Sequence, residues 1–134
     1  MPIEIYTRDE LGKPAAPYNF VARARSSETI YLAGIVSTDA SGQIVGADDF
    51  DAQCAYVYSK IGIALASAGA GFANIVQFTI YLTHAAYIPR FMEYRKREFP
   101  RLFGGAAYPP STLLIVSGLV QKSLLIEIQT VAAL

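Results

Sequence analysis

The run Ile75-Val76-Gln77-Phe78-Thr79-Ile80-Tyr81-Leu82 constrains the fold more than any other stretch of this chain. Its β-branched and aromatic residues suit a pleated surface buried on at least one face, so it reads as a strand. Helical patterns flank it on both sides. Before it, Cys54, Tyr58, Ile61, Leu65 and Ala68 recur at spacings of four, three, four and three, which puts them on one stripe of a helix over residues 48–68. Asp48 or Asp49 can cap its start, and Gly69 or Gly71 can stop it. A second helix is expected over residues 89–99, because Pro89 is tolerated in a first turn and Pro100 is expected to end it. A strand held between two helices calls for β-α-β crossovers, with the helices on one face of a mixed sheet.

Other segments supply partners for that strand. Residues 3–6, 19–25 and 29–36 read as short strands of a small meander, followed by the turn residues Asp39-Ala40-Ser41-Gly42-Gln43. Gly104-Gly105-Ala106-Ala107 reads as a mobile loop leading to two apolar core strands over residues 111–116 and 124–131. With no repeat, linker or low-complexity segment, residues 1–134 form a single α+β domain with one core.

Composition bears on partners. The chain is 53% apolar and only 16% charged, against roughly 25% charged in an average soluble domain. One copy alone would leave apolar surface in water, so the free face of the sheet is expected to pack against further copies. No run approaches the roughly 18 apolar residues of a membrane span, and the opening Met1-Pro2-Ile3-Glu4 has no basic region followed by an apolar segment, so neither a membrane nor a secretory leader is expected. Eleven basic and eleven acidic residues cancel, which gives no bias toward phosphate backbones and argues against nucleic acid as a partner. The single cysteine, Cys54, lies on the apolar stripe of the first helix; it excludes an internal disulfide and suits a reducing cytoplasm. With His84 as the only histidine there is no Cys/His set for structural zinc, and no cofactor is expected. His84 itself, just past the strand end, reads as a surface loop residue or, less simply, as an acid or base.

In order and spacing several local features resemble the RidA family, also called YjgF or L-PSP, of small trimeric imine and enamine deaminases. Ala16-Pro17-Tyr18 is similar to its Gly-Pro-Tyr, and Tyr31-Leu32-Ala33-Gly34-Ile35-Val36 to its Tyr-x-Ser-Gly-Gln-Ile-Pro strand. Asp51-Ala52-Gln53 opens the matching helix, which ends in Ala68-Gly69 and is followed by residues 74–82. Pro110-Ser111 and Leu125-Ile126-Glu127-Ile128 resemble the family's Pro-Ala-Arg-Ser and Ile-Glu-Ile-Glu stretches. The resemblance implies a mixed six-stranded sheet with two helices on one face, the chorismate mutase-like arrangement. It also implies a homotrimer whose three clefts are each lined by two subunits.

In that family an arginine grips the carboxylate of a 2-imino acid through its planar fork, while a glutamate and backbone groups place the attacking water. Here the glutamate is matched by Glu127, the candidate catalytic residue. Pro110 stands where the arginine would be, Ala33 where a serine would be, and Phe91 where a cleft asparagine would be. Proline has neither charge nor N–H, so its side chain cannot hold a carboxylate. Tyr18, Ser111 and Thr112 remain as polar candidates for the substrate. The cations Arg90, Arg95, Lys96, Arg97 and Arg101, interrupted by Glu93 and Glu98, read as a solvated helix face. Arg101, just before the glycine loop, is the candidate to swing into the cleft and replace the lost guanidinium. The expectation is a deaminase or hydrolase for an imine or enamine metabolite with altered specificity. The alternative is a non-catalytic trimer that binds a small apolar ligand in the same clefts. Ribonuclease activity, carried in the family's older name, fits poorly with the balanced charge.

Overall fold

In the structure, a computed structural model that describes residues 2–134, the chain forms β1 (Ile3–Tyr6), β2 (Val21–Ala24), β3 (Thr29–Tyr31), β4 (Ile35–Val36), α1 (Phe50–Ser67), β5 (Ile75–Leu82), α2 (Ile88–Phe103), β6 (Ser111–Ile115) and β7 (Ile126–Ala133). β7 is the organising strand. It pairs antiparallel with β5 on one side and with β3 and β4 on the other, and β6 extends the sheet as a parallel neighbour of β5. Since β4 and β5 both oppose β7, they run the same way, so α1 and then α2 make the two β-α-β crossovers expected from the strand between helices.

Alternation along the strands separates two faces. Phe78, Ile80 and Leu82 of β5, with Ile126 and Ile128 of β7, are buried toward the helices. Thr79, Tyr81, Glu127 and Gln129 point the other way, onto a face that no helix covers. The α1 stripe buries Cys54, Tyr58, Ile61 and Leu65, and the Asp49 side chain caps the helix by accepting from the Ala52 N–H at 3.1 Å. Opposite it, α2 buries Phe91, Tyr94, Phe99 and Phe103, with the rings of Tyr58 and Tyr94 stacked 5.6 Å apart.

The structure departs from the sequence reading in four places. The strand count divides as five plus two, not six, because β1 pairs only with β2 in a separate two-stranded sheet. The opening meander is therefore broken: β3 turns away to β7, where Ile30 faces Ala132 and packs on the core. The stretch over residues 29–36 is two strands, since Tyr31 to Ile35 takes four steps while their partners Val131 to Ile128 take three, and the surplus residue breaks the ladder. The last strand starts at Ile126, two residues late, because the Leu125 N–H donates to the Gln53 side chain at 2.8 Å instead of to a strand.

The fourth departure is in α2, which runs through Pro100 to Phe103 and closes on Gly104 in the left-handed conformation, φ 56°. Proline inside a helix costs about 3 kcal/mol, but the phenylalanines on either side, Phe99 and Phe103, are both buried. Burying two such rings contributes more than that. Pro100 itself is on the exposed side, where water can reach the carbonyl it leaves without a donor.

Candidate active site

Glu127 stands on the open face of β7 between two buried isoleucines, beside Tyr81 of β5 and Val36 of β4. It is half-buried and lines a recess of about 330 Å³ with Gly34, Tyr81, Val116, Leu119 and Gln129. Gly34 gives the carboxylate its place: a β-carbon at residue 34 would fall on the Glu127 side chain. The break between β3 and β4 thus brings a bare backbone against a carboxylate, a setting in which water can be held and deprotonated. Gln53 fixes the approach to β7 from beneath, its amide donating to the Gly46 and Ser123 carbonyls at 3.0 and 2.8 Å while its oxygen takes the Leu125 N–H.

Thr112 shares this open face. It lies beside Thr79, and Leu114 lies beside Tyr81, both on the edge strand β6. Ala33 is exposed next to Gly34 in the β3–β4 break. Pro110 is half-buried just before β6, and its carbonyl accepts from the Phe78 N–H at 3.0 Å.

Ser111 and Phe91 gather elsewhere, around a residue that sequence reasoning placed in water. Arg95 is only 3% exposed. Its Nη1 donates to Ser111 Oγ at 3.4 Å, its Nη2 to the Met92 sulfur at 3.2 Å, and its guanidinium lies over the Phe91 ring at 4.5 Å. Among the described residues the Nε has no partner, and no ion pair includes Arg95. Burial lowers its pKa from the ordinary value, opposed by the nearby hydroxyls of Tyr58 and Tyr18. Phe91 has no exposed surface, so it supports the guanidinium and packs edge-on to Phe50 instead of lining an open cleft. Tyr18 is half-buried in the segment that Asn19 ties to the Tyr108 carbonyl at 2.9 Å.

Arg95 was legible in one respect. Phe91, Phe99 and Phe103 recur every four residues, and Arg95 occupies the missing step of that stripe. Reading all five cations as one solvated face hid it.

Arg101 is held away from both clusters. Its side chain is 70% exposed on the outside of α2 and pairs with Glu98 at 2.8 Å. Arg97 reaches the same carboxylate, and these two partners hold the Glu98 pKa below the usual range. His84 is exposed, and its Nδ1 accepts from the Ala86 N–H at 2.9 Å, capping a single 3-10 turn. Cys54 is fully buried, and desolvation pushes its thiol pKa far up, the opposite of an activated nucleophile. Among the described residues no three His, Cys, Asp or Glu side chains gather as a metal site would require, and no helix is long and apolar enough to cross a membrane.

With this geometry in place, similarity to known proteins becomes informative. The family model described as Endoribonuclease L-PSP matches residues 8–134. The 3-aminoacrylate deaminase RutC of Acinetobacter baylyi is 29% identical over 132 residues, covering 98% of each chain. Protein DfrA of Myxococcus xanthus is 25% identical over 124 residues, 92% of this chain and 90% of that one. Among solved structures, the Rid-family protein YyfB of Yersinia pestis superposes with a TM-score of 0.88 at 26% identity over 100% of both chains.

Proposed function

Because this chain belongs to the endoribonuclease L-PSP family, which includes the RidA and YjgF proteins, we propose that it is a RidA-like hydrolase. It deaminates a small imine or enamine by adding water, in clefts between the subunits of a homotrimer. The observation that carries this reading is Glu127 seated against Gly34 in its recess, supported by the likeness to a 3-aminoacrylate deaminase.

In the reaction an enamine first tautomerises to the imine, its carbon gaining a proton as its nitrogen loses one. Water held at Glu127 then loses a proton to the carboxylate as its oxygen bonds the C=N carbon and the nitrogen is protonated. The resulting carbinolamine expels ammonia when the C–N bond breaks and the hydroxyl proton leaves, giving the carbonyl product. The carboxylate alternates between accepting and returning the proton, so no external reagent beyond water is consumed.

An ammonia-release assay across 2-imino acids, 3-aminoacrylate and cyclic imines tests the reading. Wild type is expected to turn over at least one of them, and Glu127→Gln, which keeps the shape but cannot take a proton, to fall by about 10²-fold or more. Turnover unchanged in Glu127→Gln defeats the mechanism. Pro110, which the resemblance matches to the family's arginine, favours a second reading, a trimer that binds a small apolar ligand without chemistry. Ligand binding with no turnover of any substrate would select it.

A further inference from the structure

A buried guanidinium without a carboxylate is costly, and Arg95 has only weak partners: a hydroxyl at 3.4 Å, a thioether sulfur and a ring face. For stability alone, an apolar side chain of similar length would serve this stripe of phenylalanines at least as well. Its location suggests what the charge is for. Ser111 opens β6, the edge strand of the sheet, directly after Pro110, the position that lacks the family's arginine. The Met92 side chain touches the guanidinium and also lines a groove of about 310 Å³ with residues 14–17, Glu93 and Lys96.

We propose that Arg95 is the anion-binding residue of this protein, supplied by α2 in place of the strand arginine, and that its ligand is the carboxylate of a small imine, enamine or 2-oxo acid. The carboxylate displaces the flexible Met92 thioether and takes Nη2 and the unpartnered Nε in a bidentate pair, while Nη1 keeps its long contact with Ser111. Phe91 beneath supports the plane of the fork. Arg95 lies on the helix-covered side of the sheet and Glu127 on the open side. One small substrate can therefore meet both only if the second copy contributes Glu127. The substrate class named here rests on the deaminase reading, whereas the carboxylate site does not.

The test uses pyruvate and its uncharged analogue methyl pyruvate as probes, with binding followed by calorimetry and by the NMR signal of the Arg95 Nε–H. Pyruvate is expected to shift that signal and to bind about tenfold or more tightly than the ester. Arg95→Met should abolish the preference while melting no lower than wild type, and Arg95→Lys, which keeps the charge but not the fork, should retain part of it. Equal binding of the two probes, no binding of pyruvate at millimolar concentration, or a preference that survives in Arg95→Met overturns the proposal. Should Arg95→Met fail to fold, the wild-type titration decides, and an unmoved Nε–H signal at saturating pyruvate is the adverse result. Pyruvate is not a deamination substrate, so these outcomes are independent of whether ammonia is released in the assay above.

Discussion

Gly34 places Glu127 by having no side chain. Its backbone is not in the left-handed region, so alanine is conformationally acceptable there, and the atoms nearest to the new methyl all belong to the Glu127 side chain. Gly34→Ala is therefore expected to leave the melting temperature within a few degrees of wild type while reducing turnover about tenfold or more. Thermal melting run beside the ammonia assay separates the two effects. A variant that unfolds, or one that keeps full activity, contradicts the placement of the carboxylate. Gln53 works at the same scale by satisfying three backbone groups at once, two of them about seventy residues away in sequence. Nothing in the local sequence marks it, because its partners come together only when the fold has formed.

At the scale of elements, α2 combines two features that local rules set against each other. Its stripe of phenylalanines asks for a continuous helix to residue 103, and Pro100 asks for a stop. The stripe wins because Phe99 and Phe103 both find the core. Pro100→Ala is accordingly expected to stabilise the chain by about 2 kcal/mol, the helix penalty of proline of about 3 kcal/mol less the entropy it removes from the unfolded chain. The denaturant midpoint should rise with no change in slope. A lower midpoint would mean that the proline bend is needed to seat Phe103. The same reasoning explains what could be read in advance. The α1 stripe follows from spacing and the strand between the helices from its β-branched and aromatic residues; the strand formed where expected, and the stripe did as far as Leu65, with Ala68 left as the cap of α1. The partner of β3 could not be read, because a strand's alternation says which face is buried but not which strand lies beside it. Of the candidate site, Glu127 was found by resemblance and the break in alternating apolar residues, whereas Arg95 was missed because a charge on an apolar stripe was counted with its exposed neighbours.

The whole molecule has an uncovered face. Tyr31 is 76% exposed and Leu114 44% exposed on the side of the sheet away from the helices, flanking Tyr81, Glu127 and Gln129. A strand face carrying tyrosine and leucine in water accounts for the surplus of apolar residues and is the natural seat of the proposed trimer contact. Leu114 lies outside the core formed by the helices, so replacing it with aspartate removes nothing that one chain needs in order to fold. Leu114→Asp is expected to retain wild-type secondary structure by circular dichroism but to sediment as a 14.5 kDa monomer, where wild type sediments at about three times that mass. The monomer should also lose turnover almost completely, because its Arg95 and Glu127 face opposite sides of one sheet and no second copy completes the cleft. Wild type that is itself monomeric at tens of micromolar and fully active, or a monomeric variant with undiminished ammonia release, would rule out the shared cleft.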